Sequence, residues 1–312
     1  MTAPNDSATI STPTRSSLGA MPCCLSSFLD RVIHGDNCET LAAMPAESVD
    51  LVVTSPPYDD LRTYGGHSWD FPRLAGELTR VLKPGGVIVW VVADATVNGS
   101  ETLTSMRQAI HFKDVCGLNV IDTMIYLKPT GCFANPKRYR GAWEYMIVAA
   151  KGEPKTFNQL TRQKTGHSYN RVGTASRTAE SGRERVRAYK SDKSGETQRE
   201  NVWYYVTNMS VAEEKEAFKH PAIFPEALAK DHVQSWSNPG DVVLDPFAGS
   251  GTTLKAAKEL GRRFVGVEIN AEYVAICHKR LAQEVLNLFP DNVQVDLPPK
   301  KGVDSTSDVT GG

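Results

Sequence analysis

The sequence predicts an α/β fold, a doubly wound and mostly parallel sheet with helices on both faces. Two observations predict it. Short β-rich apolar runs alternate along the chain with segments of helical length and period, as strand–helix–strand units do. Two of those runs, Val49–Val53 and Asp241–Asp245, lead into loops rich in proline or glycine, and α/β sheets bind ligands beyond the carboxyl ends of their strands.

Each element has its own signal. Val49–Val53 ends at Ser55-Pro56-Pro57 and reads as a buried strand entering a loop. A helix is expected over Phe71–Leu82, stopped by Lys83-Pro84-Gly85-Gly86, and Val87–Val92 is the next buried strand. A helix near Leu103–Cys116 leads to strands near Val120–Leu127 and Trp143–Ala150. The pattern resumes with a strand at Asp241–Asp245, a helix at Thr252–Leu260 and a strand at Phe264–Glu268. A last helix carries Tyr273, Cys277, Leu281 and Val285 on one stripe.

Outside this pattern, residues 1–27 are Ser-, Thr-, Ala- and Pro-rich and read as a disordered extension, and 291–312 reads as a polar tail. Residues 28–151 and 216–290 hold the two halves of the α/β domain, and 152–215 interrupts them. From Lys155 to Lys193 ten Lys/Arg stand against three Asp/Glu, an excess hidden by the formal net charge of −1. A loop this long inside a compact domain is usually functional.

Bulk composition excludes several classes. Six scattered cysteines lack paired C-x-x-C spacing, so neither a zinc site nor a disulfide framework is expected. No apolar run reaches the roughly 18–20 residues that span a bilayer, and no signal-peptide pattern opens the chain. The expected setting is the cytoplasm, with no membrane partner and no metal.

Two motifs carry chemistry. Asp245-Pro246-Phe247-Ala248-Gly249-Ser250-Gly251-Thr252-Thr253 joins a strand to a helix, and its glycines let backbone approach a ligand at a helix N-terminus. A P-loop needs a lysine that Thr252-Thr253-Leu254 does not supply, and a dinucleotide loop wants glycine or alanine where Leu254 stands. A smaller nucleoside remains, and Glu268, at the end of the next strand, suits ribose hydroxyls. In the second motif, Thr54-Ser55-Pro56-Pro57-Tyr58, consecutive prolines remove two backbone donors, stiffen the chain and leave carbonyls free.

Together these motifs resemble the catalytic and cofactor motifs of the amino-group (N4-cytosine/N6-adenine) S-adenosylmethionine-dependent DNA methyltransferases. With the catalytic motif first, the order resembles their circularly permuted β group. The resemblance runs from about Val32 to Leu281. It takes in His34-Gly35-Asp36, Leu82–Gly86, Trp143–Val148 and His220–Glu226. It implies a Rossmann-like methyltransferase fold with S-adenosyl-L-methionine as cofactor and double-stranded DNA as partner, and it allows a cognate restriction endonuclease.

The resemblance also implies roles. Ser55, Pro56, Pro57 and Tyr58 form the catalytic set. Ser55 and the Pro56 carbonyl accept from the amine, and Tyr58 stacks on a flipped base. Asp36, Phe224, Asp245, Phe247, Gly249, Gly251, Thr252 and Glu268 form the cofactor set. The 152–215 span falls where such enzymes keep target recognition, which makes Lys164, Arg171, Arg177, Arg183, Arg185 and Arg187 candidate DNA contacts.

Serine at position 55 resembles the N4-cytosine enzymes, with N6-adenine methylation as the alternative. A cytosine-C5 enzyme needs a cysteine nucleophile, and Pro22-Cys23-Cys24 lies in the polar extension with no strand before it. A zinc deaminase signature is missing. RNA or protein glutamine as substrate would leave the basic insertion without a role. A methyltransferase-like DNA-binding protein without activity would not need Ser55, Tyr58, Gly249 and Gly251 intact.

Overall fold

The structure, a computed structural model, describes residues 24–57, 69–128, 137–163, 195–205 and 225–282. After a single 3-10 turn at Leu25–Ser27, the first half holds β1 (Arg31–His34), α1 (Asn37–Ala43), β2 (Val49–Thr54), α2 (Phe71–Val81) and β3 (Leu82–Val92). A small hairpin, β4 (Thr96–Val97) and β5 (Ser100–Glu101), precedes α3 (Thr104–Asp114), β6 (Asn119–Leu127) and β7 (Trp143–Ala150). Next come β8 (Thr161–Gln163), β9 (Glu196–Gln198) and β10 (Val202–Tyr204). The chain returns through α4 (Glu226–Trp236), β11 (Val242–Asp245), α5 (Thr252–Glu259), β12 (Arg263–Glu268) and α6 (Ala271–Ala282).

Eight strands form one sheet in the order β1-β12-β11-β2-β3-β7-β6-β10. Neighbours run parallel except at β7, which is antiparallel to both β3 and β6. The expected doubly wound, mostly parallel α/β sheet is therefore present. Strands from the two ends of the chain interleave, because β1 pairs with β12 and β2 with β11.

Period-two alternation decides what each strand shows to each face. On β3, Val87, Val89 and Val91 pack with Leu228, Val233 and Leu254 of α4 and α5. Ile88, Trp90 and Val92 pack with Leu41, Leu74, Leu78 and Phe112 of α1, α2 and α3. Both faces of the central strands are thus covered, which is why they read as unbroken apolar runs.

The structure departs from the sequence reading in two places. Lys83–Gly86 is not a turn that stops a helix: α2 already ends at Val81, and β3 begins at Leu82, opposite Val49. Register shifts between Val49 and Leu51, and Gly85 takes φ +77°, so the glycines serve a bulged strand start. Second, β10 lies inside the 152–215 span yet forms the sheet's edge beside β6. The predicted last helix is present as α6, described to Ala282, and Val285 lies outside the described residues. No described helix is long and apolar enough to cross a membrane.

Candidate active site at the carboxyl edge

The chain leaves β11 through α5 to β12 on one side, and leaves β2 through α2 to β3 on the other. Adjacent strands whose connections diverge to opposite faces leave a crevice at their carboxyl ends. Thr54 closes β2, Asp245 closes β11, Glu268 closes β12 and His34 closes β1. Both sequence motifs therefore open onto one edge.

Hydrogen bonds join them. Thr54 Oγ1 donates to Asp245 Oδ1 at 2.7 Å, and Thr253 Oγ1 donates to the Val53 carbonyl at 3.1 Å. Asn37 Nδ2 donates to the Pro246 carbonyl at 3.3 Å. Burial pushes the Asp245 carboxyl up to about 6, against the opposing pull of the Thr54 hydroxyl and the Phe247 amide. Ser55, Pro56 and Pro57 continue directly from Thr54, with Pro56 buried.

The glycine loop is held from several sides. Gly251 takes φ +82°, and a Cβ there would lie 2.3 Å from Cys277 Sγ. A Cβ on Gly266 would meet Leu254 Cδ1 at 2.3 Å, so its hydrogen lets α5 pack closely on β12. Glu268 braces the loop with both oxygens: Gly249 N donates to Oε2 at 2.8 Å and Asn270 N to Oε1 at 2.8 Å. Phe247 turns toward the α1–α3 face, edge-on to Trp69 at 5.1 Å and to Trp90 at 6.4 Å. Asp36 caps α1 by accepting from Glu39 N at 2.9 Å, and the next strand end is adjacent, since Gly35 N donates to the Glu268 carbonyl at 3.0 Å.

These bonds decide which ligand suits the loop. A phosphate-binding loop presents free amides to its anion. Here Phe247, Ala248, Gly249 and Gly251 all donate within the protein, to Asp245 Oδ1, Val267 O, Glu268 Oε2 and Ala248 O. The edge also carries the acidic residues Asp36, Asp245 and Glu268, which repel a diphosphate and favour a cation. A nucleoside with a sulfonium centre and hydroxyl donors matches this donor and acceptor set.

Arg280 is the site residue that sequence reasoning missed. It is 1% exposed, and its Nη1 donates to Ser250 O at 2.7 Å, Ser250 Oγ at 2.9 Å and Thr252 Oγ1 at 3.1 Å. Its Nη2 pairs with Glu226 Oε1 at 2.5 Å. Thr252, expected to face the cofactor, thus has its hydroxyl turned to Arg280. The signal available was position: Arg280 follows Cys277 by three residues on the buried stripe of α6.

The structure brings together Ser55, Pro56 and Pro57 with Asp36, Asp245, Phe247, Gly249, Gly251, Thr252 and Glu268 along this edge. Tyr58, Phe224, Lys164, Arg171, Arg177, Arg183, Arg185 and Arg187 lie outside the described residues. Among the described residues no His/Cys/Asp/Glu cluster could hold a metal ion.

A doubly wound sheet with an acidic, glycine-braced crevice at its switch point defines a nucleoside-cofactor enzyme. The chain belongs to the N6/N4 DNA methylase family, whose model matches residues 49–279, from β2 into α6. It is 46% identical over 241 residues to the orphan methyltransferase M.BamHII of Bacillus amyloliquefaciens, covering 77% of this chain and 91% of that one. It is 31% identical over 264 residues to the DNA adenine methyltransferase YhdJ of Escherichia coli K12, covering 80% and 82%. Among solved structures, the cytosine-N4-specific PvuII DNA methyltransferase superposes with TM-score 0.60 at 20% identity over 85% of this chain and 88% of that one, a likeness of fold. A Thermus thermophilus protein described as a DNA modification methylase, in complex with S-adenosyl-L-methionine, superposes with TM-score 0.52 at 28% identity, covering 81% and 94%. The chain is a DNA amino-methyltransferase.

Proposed function

We propose that the chain transfers a methyl group from S-adenosylmethionine to the exocyclic N4 of cytosine in DNA. The observation that carries this reading is the Thr54–Asp245 hydrogen bond at 2.7 Å, which holds the serine-diproline loop and the glycine loop in one crevice. The serine-diproline strand precedes the glycine-loop strand in the chain, which supports a circularly permuted layout.

The cofactor supplies an electrophilic methyl group on a positively charged sulfur. Glu268, already fixed by two amides, keeps lone pairs for ribose hydroxyls. Asp36 stands on the same edge to accept from the adenine amine, with Phe247 and Phe224 as apolar contacts. The target amine is a weak nucleophile because its lone pair is delocalised into the ring. Ser55 and the Pro56 carbonyl accept hydrogen bonds from its N–H groups, which concentrates lone-pair density on that nitrogen. Pro56 and Pro57 contribute no amide that would compete for those acceptors. Tyr58 stacks on the flipped base, and the cations of 152–215 contact phosphates.

The choice of cytosine rests on Ser55. A second reading, N6-adenine methylation, is favoured by the 31% identity to an adenine methyltransferase. Digesting DNA from cells that express the chain to nucleosides, with mass spectrometry, separates the two. N4-methylcytosine is expected. N6-methyladenine without it would establish the second reading, and neither base would overturn both.

A further inference from the structure

Because β7 runs against β3 and β6, it enters the sheet at the edge where the parallel strands leave it. The residues before it therefore stand on the catalytic edge, where Lys128 N donates to the Ala142 carbonyl at 2.7 Å. With the first residue of β7 they read Lys137-Arg138-Tyr139-Arg140-Gly141-Ala142-Trp143, three cations and two aromatics with no acid. Tyr139 is fully exposed, and Trp143 is 46% exposed while braced edge-on against Tyr145 at 4.6 Å. The segment thus offers one full aromatic ring and half of another to water among three cations.

The neighbouring hairpin β4–β5 follows the carboxyl end of β3 and stands on the same edge. Its turn residues Asn98 and Gly99 take φ +50° and +81°, the left-handed pair of a tight, twisted hairpin. A lateral bond from Thr102 N to Ala95 O at 2.9 Å closes its base. Arg138 ties the basic segment to it, through Thr96 Oγ1 and the Glu101 carboxylate at 3.8 Å. This is a built ridge.

We propose that Lys137–Trp143, braced on the β4–β5 hairpin, is a DNA-contacting lip of the active site. The inference rests on the DNA methyltransferase reading and adds a surface outside the central basic span. DNA whose base reaches Ser55 must lie against this edge. Extruding that base leaves flat faces exposed in the duplex, and Tyr139 provides a ring for stacking that any base accepts. Lys137 and Arg140 supply phosphate contacts, which makes the affinity salt-dependent. Arg138 holds the ridge.

The test uses the full chain and two sets of variants. With a fluorescent duplex of arbitrary sequence, Lys137→Ala/Arg140→Ala should flatten the slope of log affinity against log salt by about 1–2. On unmethylated plasmid DNA, Tyr139→Ala should raise KM for DNA on the order of tenfold. Tyr139→Phe should restore it, and S-adenosylmethionine affinity should stay at the wild-type value in every variant. Wild-type salt slope and wild-type KM would overturn the lip and leave the methyltransferase reading intact. A wild-type chain inert toward both S-adenosylmethionine and DNA would overturn both.

Discussion

Replacing Gly251 with alanine introduces two strains that can be measured separately. The backbone there has φ +82°, and the new Cβ would lie 2.3 Å from Cys277 Sγ. A left-handed conformation costs a residue with a Cβ about 1–2 kcal/mol. Forcing a methyl group into a packed core costs about 1–3 kcal/mol more. The variant should therefore lose roughly 2–5 kcal/mol, lowering Tm by roughly 5–15 °C in a domain of this size. Cys277→Ala removes the sulfur and leaves Cys277 Cβ at an acceptable 3.4 Å. The pair Gly251→Ala/Cys277→Ala should then recover the packing part and keep the backbone part. A double-mutant cycle by urea unfolding should return a coupling of about 1–3 kcal/mol. Strict additivity, or a neutral Gly251→Ala, would show that Cys277 and the left-handed backbone at Gly251 do not hold the glycine loop.

Three other perturbations probe the same edge. Glu268→Gln replaces an acceptor with a donor opposite a backbone amide that donates at 2.8 Å. It should weaken S-adenosylmethionine binding on the order of tenfold or more in titration calorimetry, and an unchanged affinity would remove Glu268 from the site. Arg280→Ala takes a fully buried donor from the Ser250 and Thr252 oxygens, while Glu226 keeps Lys255 at 3.5 Å, and should cost about 1–3 kcal/mol in urea unfolding. Asp245 gives a pH signature, since burial raises its carboxyl from 3.8 to about 6. The fold thus favours the protonated form, so this contribution is complete below 3.8 and fades as pH rises through about 6. Asp245→Asn should gain on wild type by on the order of 3 kcal/mol between pH 4 and 8. His232, depressed by burial to about 3, loses its contribution as pH falls below 6.5, but both proteins share that loss and it cancels.

The strands that carry the site were legible because they are buried on both faces. Leu51–Val53, Val87–Val92 and Val242–Leu244 offer apolar side chains to two helix layers, so they appear as unbroken runs. β1 was hidden because only Val32 is buried among its four residues. β10 was hidden because Trp203 is flanked by the exposed Val202 and Tyr204, and three residues at a sheet edge leave little period to read. Helix α4 follows Pro225 and buries His232 and Ser235 among its apolar residues, which blurs its stripe. The two loop motifs named their residues directly, since their glycine and proline positions are backbone requirements. Arg280 was invisible for the opposite reason: a guanidinium buried to satisfy a loop carbonyl has the same letter as one left in water. Sequence could place Glu268 at the crevice but not show that its oxygens already hold Gly249 and Asn270.

On the proposed function, the glycine loop holds S-adenosylmethionine while the neighbouring Ser55–Pro56 edge presents the amine. Methyl-labelled S-adenosylmethionine tests it directly when wild type and Ser55→Ala are compared for cofactor binding and for label transferred to unmethylated DNA. Equal cofactor affinity for the two proteins and label transfer by wild type only are expected. Equal transfer by Ser55→Ala, or loss of cofactor binding together with transfer, would contradict it.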